Sequence, residues 1–483
     1  MSNNNYGKVA ASGMVWQLTE RIFTAFLQFV LTTILARLLQ PEEYGIIAIV
    51  MVFITISDLL VIAGLGTAII QGKNIDQVAL SSVFYFNIVA SVIFYVILFF
   101  CAPLIADFYK APIVSPILRC YSIVILPTAI NNMLRSMLLK ELQYKKVFLS
   151  SIIPLFISGV VGVIAAYLGA GVFAMAIQAL VYAFFAMVIL FFVTKWKPGL
   201  CFSWEKSLNL LKYGWKLLVA NLIEVGYKNI YPLIIPRFFS KSALGFYTYG
   251  RQIPNVVVST VNSSTIGTMF PIFSKCQDDK KMLKEYLRRT IRISNFIIFP
   301  IMAGISVLSK EIIIILLGQK WADSAFYLSL FCIIYGLFHV QNINFQAISA
   351  TGRSEVFLKY ETIKKIAGVT SIAIAIPLGI KALIWGQVIL AVIYILLSIW
   401  PNIKYLNYSF KEQICDFVPT FIISILMFFI VFVLLAVFKN ANIYIVSVAG
   451  VITGVTVYIG LCRLLKIKEM KEALSFIKQY FKK

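Results

Sequence analysis

Along the whole chain, apolar residues arrive in blocks of about 20, the length that crosses a ~30 Å hydrocarbon layer, and short polar breaks separate them. Residues 443–462 (IYIVSVAGVITGVTVYIGLC) hold no charge, and 415–438 (CDFVPTFIISILMFFIVFVLLAVF) hold one. The pattern predicts fourteen spans, near 12–36, 44–70, 78–105, 113–138, 147–168, 172–194, 213–236, 245–273, 290–316, 325–350, 360–378, 382–400, 414–438 and 443–465. The fourth and eighth are the most polar, so twelve is the lower count. The expected fold class is all-α, a polytopic transmembrane helix bundle.

Composition supports this reading. Of 483 residues, 60% are hydrophobic and 13% charged, where a soluble protein charges about a quarter. A net charge of +23 would suggest nucleic acid in a soluble domain. Here the bases sit in the breaks between apolar blocks, so no nucleic-acid partner is expected. Of the 43 Lys and Arg residues, 29 fall in one set of alternate loops and adjoining span ends, against 8 in the other set. The positive-inside rule places the richer set, with both termini, in the cytoplasm. The seven cysteines form no C-x-x-C pair and there is one histidine, so neither a metal site nor a cofactor is expected. The first apolar block, behind the polar MSNNNYGKVAAS, is too long and too polar for a signal-peptide core, so no cleavage is expected. After 465, Ile467, Met470, Leu474 and Ile477 recur at helical spacing among bases, a pattern that suits a helix on anionic headgroups.

An internal repeat organises the chain. Shifted by 200 residues without a gap, ILARLLQPEEYGI (34–46) meets IIPRFFSKSALGF (234–246), aligning Arg37 with Arg237 and Gly45 with Gly245. Trp16 and Trp215 share nearly the same offset. Six spans separate the copies, so the repeat is parallel, about an axis along the membrane normal, with a binding site expected near the midplane between the halves. The division expected is a six-helix lobe at 1–200, a second at 201–400, and two further helices with a basic tail at 401–483.

Ionisable groups inside a membrane face a cavity or a partner. The acids are Glu20, Asp58 and Glu224; the bases are Arg21, Arg119, Arg135, Lys216, Lys228 and Arg251. In the first span Gln17, Arg21, Thr24, Gln28 and Thr32 fall within an arc of about 80°. Tyr335, His339, Asn342, Gln346 and Ser349 do the same in the tenth. The eighth carries Tyr247, Arg251, Asn255, Ser259 and Asn262 on a broader stripe, with Pro254 as the expected kink. These stripes predict a wet cavity lined by Arg21, Gln17, Gln28, Lys228, Arg251, Asn255, Asn342 and Gln346. Glu224 and Lys228, four apart, are placed to pair. Arg135 and Lys216 near cytoplasmic ends, and Arg119 near an outer end, read as snorkelling to headgroups. The Asp278-Asp279 pair reads as a solvated turn. His339 suits either proton transfer or hydrogen-bonded packing.

The stretch ILARLLQPEEYGIIAIVMVFITISDLLVIAGLGTAIIQ (34–71) resembles the signature of bacterial oligosaccharide-unit flippases. These belong to the multidrug/oligosaccharidyl-lipid/polysaccharide exporter superfamily. The resemblance rests on L-A-R-x-L-x-P-x-x-Y-G, then Asp58, then G-L-G at 64–66. It implies two parallel six-helix lobes plus two C-terminal helices in the bacterial cytoplasmic (inner) membrane, without a cofactor. It further implies transport of undecaprenyl-pyrophosphate-linked oligosaccharide units to the outer leaflet by alternating access. On that reading Arg21, Lys228 and Arg251 supply a cationic cavity, diluted by Glu20 and Glu224. Asp58, Glu20, Glu224 and His339 are the candidates for coupling to Na+ or H+. The alternatives are a drug or toxin exporter, a peptidoglycan-precursor flippase, or an integral-membrane polysaccharide polymerase or ligase. An acidic cavity would suit the first and a large outer loop the last. No P-loop occurs, which excludes a built-in ATPase motor of that class.

Overall fold

The computed structural model describes residues 3–62, 64–71, 76–467 and 469–470. Among these residues every regular element is helical. They divide into two compact units, Met1–Gly245 and Phe246–Lys483.

The first unit holds α1 (Asn3–Leu38), α2 (Pro41–Ile62), α3 (Leu65–Gln71), α4 (Gln77–Phe108), α5 (Val114–Tyr121), α6 (Ile125–Lys140), α7 (Tyr144–Tyr167), α8 (Phe173–Thr194), α9 (Trp204–Lys228) and α10 (Ile230–Phe238). α11 (Lys241–Lys275) starts in this unit and runs on into the second. There follow α12 (Lys280–Val307), α13 (Ser309–Leu317), α14 (Ser324–Ala350), α15 (Ser354–Ala375), α16 (Ile380–Leu406), α17 (Phe410–Val437) and α18 (Ile443–Leu464).

All fourteen expected spans therefore exist as helices, some in two pieces. The second breaks where Gly64 takes a positive φ of 74°, a backbone state natural to glycine. The seventh breaks at Asn229, between α9 and α10. α11 is assigned as one helix through Pro254 and Pro271. Among the described residues, twelve helices are long and apolar enough to cross a bilayer. The two segments outside that set are α9–α10 and α15, not the fourth and eighth spans, which both qualify. The reason is charge: α9 carries basic and acidic residues at both ends, and α15 holds Lys359, Glu361, Lys364 and Lys365 in its first twelve residues.

Local chemistry fixes several helix starts. Ser409 and Glu412 form a reciprocal capping box on α17, which satisfies otherwise orphaned amides. Asp279 caps α12 by accepting from Lys281 N and Met282 N at 3.0 Å. The acidic pair 278–279 thus begins a helix.

α1 packs mainly on α7. A methyl on Gly13 would lie 2.4 Å from the Tyr144 ring, and one on Gly159 2.4 Å from Leu31 Cδ2. Elsewhere on α1 Leu18, Ile22, Phe23 and Phe26 are exposed, while Leu35 and Ala36 near its end are buried. A compact core of Leu65, Ile69, Val83, Phe84, Met133 and Leu134 joins α3, α4 and α6. In the second unit α12 packs on α14 and α17, α14 on α16, and α17 on α18. Beyond α18, Ile467 and Met470 pack against Ile423, Met427, Tyr458 and Cys462. The start of the tail therefore rests on protein; Leu474 and Ile477 lie outside the described residues.

Candidate functional site

The charged residues of the first unit sort into paired and free. Glu20 is buried on α1. Its Oε1 accepts from Arg135 Nη2 at 2.6 Å and from Ser151 Oγ at 2.8 Å. Arg135 Nη1 also donates to Ser151 Oγ at 2.8 Å, closing a triangle between α1, α6 and α7. This corrects the snorkelling assignment of Arg135: its guanidinium turns inward because a buried carboxylate competes better for it than headgroups do. The Glu20 carboxylate is thus engaged by Arg135 and Ser151 rather than by its neighbour Arg21. Arg119 is likewise tied to protein, its Nε donating to Phe99 O at 3.1 Å with the guanidinium over the Phe99 ring.

Arg21 is exposed and, among the described residues, forms no ion pair. Gln17 and Gln28 are exposed on the same stripe. Thr24 and Thr32 return their hydroxyls to the carbonyls of Glu20 and Gln28. Lys228 Nζ donates to Glu224 Oε1 at 2.6 Å, both side chains being more than half exposed. This is the expected pairing, and at such exposure it contributes little stability. The Lys216 side chain lies outside the described residues. Asp58 on α2 has a buried Oδ1 that no described group satisfies.

In the second unit the polar seam runs between α11 and α14. Arg251 Nε donates to Tyr335 Oη at 2.9 Å, and Tyr247 Oη lies 3.5 Å from Gln387 Oε1. Arg251 is thus steered by neutral phenols and forms no ion pair with any described residue. Further along, His339 is fully buried and its Nδ1 bonds Asn262 Oδ1, while Nε2 meets no partner among the described residues. Asn255 is exposed, while Asn342 and Gln346 are half-buried.

One charged constellation escaped sequence reasoning. On α12, Arg288 makes a two-pronged contact with Asp416 of α17, at 2.6 and 3.1 Å. Tyr408 Oη donates to the same carboxylate at 2.7 Å. Lys284 pairs with Glu412 at 2.8 Å, and Arg292 with Glu469 at 3.3 Å. Burial, with the adjacent carboxylate, pushes the Tyr408 phenol up and keeps it a donor. The signal was available: Lys284, Arg288 and Arg292 are spaced by four, as are Glu412 and Asp416, so each set lines one helix face. Among the described residues no three of His, Cys, Asp and Glu gather as a metal site would require.

Residues 34–326 match the polysaccharide biosynthesis protein family. The chain is 24% identical over 425 residues to the lipopolysaccharide biosynthesis protein WzxC of Escherichia coli (strain K12), spanning 86% of this chain and 85% of that one. Against the succinoglycan biosynthesis transport protein ExoT of Rhizobium meliloti (strain 1021) it is 24% identical, over 80% and 78% of the two chains. Against the teichuronic acid biosynthesis protein TuaB of Bacillus subtilis (strain 168) it is 22% identical, over 88% and 89%. Among solved structures, the lipid II flippase MurJ in an inward closed conformation aligns with a TM-score of 0.69 at 14% identity, covering 94% of this chain and 98% of that one. An inward-facing multidrug resistance MATE family transporter aligns at 0.58 and 13%, covering 81% and 99%. At these identities the structural likeness establishes the fold alone.

Proposed function

The chain belongs to the polysaccharide biosynthesis protein family, and from that premise we propose that it carries undecaprenyl-pyrophosphate-linked oligosaccharide units across the bacterial cytoplasmic membrane. Cargo moves from the cytoplasmic to the outer leaflet by alternating access, and both termini lie in the cytoplasm. The names of the relatives, which span lipopolysaccharide, succinoglycan and teichuronic acid biosynthesis, support a surface-polymer role.

Arg251 carries the reading from family to chemistry. A pyrophosphate brings concentrated negative charge that hydrocarbon cannot solvate. Arg251 is a cation fixed by the phenol of Tyr335 rather than by a carboxylate, so its charge remains available to an incoming anion. A guanidinium can hold a phosphate through two parallel hydrogen bonds. Gln17, Gln28, Asn255, Asn342 and Gln346 can exchange water for sugar hydroxyls. The carrier needs no nucleophile, because no bond is made or broken. Asp58, with its unsatisfied Oδ1, is the coupling candidate best supported for H+ or Na+.

The test is export of the surface polymer in a bacterium lacking its own transporter, with membrane protein level checked by immunoblot. Arg251→Gln should abolish export while the protein inserts normally. Full export by that variant would overturn the anion-site reading.

A further inference from the structure

We propose that Glu20, Arg135 and Ser151 form a pin that sets the rotation of α1 about its own axis, and so the direction in which Arg21 is presented. In its last step this rests on the reading of Arg21 as a substrate group.

Among the described side chains of α1, Glu20 is the one buried charged group that can fix its rotation. The described buried positions of the helix are Gly13, Glu20, Leu31 and Leu35, which fall within about 60° of arc, with Ala36 buried beside them at the helix end, and large apolar side chains cover much of its remaining described surface. In a bilayer, apolar side chains find nearly the same surroundings in lipid as against a neighbouring helix, so apolar contact alone fixes rotation weakly. A buried polar contact breaks that degeneracy, because any other rotation leaves ionised groups without partners. Glu20 is the one charged residue on the contact line, and three hydrogen bonds of 2.6 to 2.8 Å close the triangle with Arg135 and Ser151. The three residues come from three different helices, so the triangle fixes α1 against both α6 and α7.

Arg21 follows Glu20 by about 100° around the helix, and Gln17, Thr24, Gln28 and Thr32 fall about 40–120° from it on the same side. Holding Glu20 inward therefore holds the whole polar stripe in one direction. Glu20 and Arg135 are positioning residues: they touch no cargo, and they act through Arg21.

The experiment uses the full-length chain in membranes, its seven cysteines replaced by serine and one reporter cysteine placed on α1. Reporters are Gln17→Cys and Gln28→Cys on the polar stripe and Ile22→Cys on the apolar side. The readout is the rate of modification by a charged, membrane-impermeant maleimide in inside-out vesicles. With the pin intact, the stripe positions should react and position 22 should not. Glu20→Gln or Arg135→Gln should shrink that contrast by roughly tenfold or more, since each strands a buried partner. The double exchange Glu20→Arg with Arg135→Glu should restore it, which a merely destabilised protein would not do. Ser151→Ala, a milder change, should shrink the contrast partway and serves where a charge variant fails to insert. An unchanged labelling pattern in Ser151→Ala and in the charge variants that insert would overturn the pin. Contrast lost while polymer export stays normal would uphold the pin and remove Arg21 from the transport mechanism.

Discussion

Gly45 and Gly245 sit in reciprocal contacts: a methyl on Gly45 would lie 1.9 Å from the carbonyl oxygen of Lys241, and one on Gly245 2.0 Å from that of Pro41. The two glycines are 200 residues apart, and so are Pro41 and Lys241. Each start of one repeat copy therefore presses on the start of the other, as a local two-fold requires. Lys241 adds a bond to Lys110 O and an ion pair with Glu42 at 3.7 Å. Arg237 donates to Phe108 O at 2.7 Å. We read this contact as the local trace of the parallel repeat.

Neither glycine can gain a side chain without separating the backbones. Gly45→Ala and Gly245→Ala should each destabilise the protein by about 1–3 kcal/mol, the usual range for overpacking. Because both open the same contact, the double variant should cost clearly less than the two single effects together. Thermal unfolding in detergent measures this. Two additive losses, or none, would mean that the turns do not meet in this way.

The charge asymmetry of the loops predicts topology directly. Phosphatase reporters fused at 200, 280 and 483 should be inactive, and fusions at 170 and 380 active, because the former lie on the base-rich side. High activity at 280, in the loop that leads into Lys284 and Arg288, would reverse the map.

Asp416 should be the most sensitive residue of the second unit outside the polar seam. Its side chain is 4% exposed and holds Arg288 by two contacts. Asp416→Ala should cost about 2–3 kcal/mol, since it leaves the Tyr408 phenol unpartnered and Arg288 with Glu412 as its remaining acceptor. Tyr408→Phe removes one hydrogen bond and should cost only about 1 kcal/mol. Thermal scanning of purified protein should therefore rank the aspartate well below the tyrosine variant.

What the sequence revealed and what it hid follow from the range of each interaction. Spans and the repeat were legible because apolar block length and a gapless 200-residue shift are properties of the chain itself. The Glu224–Lys228 pair was legible for the same reason, being one helical turn apart. Arg135 was misassigned because its partner Glu20 lies 115 residues away, and position near a helix end says nothing about which way a side chain turns. The Asp416 constellation was hidden because bases beside a span were counted toward orientation before being weighed as partners. Arg251 was found by its stripe, but its phenol partner came from another helix and only the fold brought Tyr335 to it.

The steering of Arg251 gives the last prediction. Tyr335 accepts from Nε and Tyr247 also bonds the guanidinium, so two phenols orient the group that would grip an anion. Arg251→Lys keeps the charge but loses the fork, so export should fall without vanishing. Tyr335→Phe keeps the fork and removes one of its two phenol anchors, so more of the ordering falls to the cargo itself. Forming one fewer hydrogen bond, at about 1 kcal/mol, corresponds to a several-fold weaker grip. Tyr335→Phe should then need more cargo for half-maximal transport while its maximal rate stays near normal, whereas Arg251→Gln should lose both. Transport of a fluorescent lipid-pyrophosphate sugar in vesicles, titrated with cargo, separates the two effects. Arg135→Gln should also lose export, against the mild outcome that a snorkelling arginine would give. Equal loss in Tyr335→Phe and Arg251→Gln would mean that the phenol shapes the helix packing rather than the anion grip.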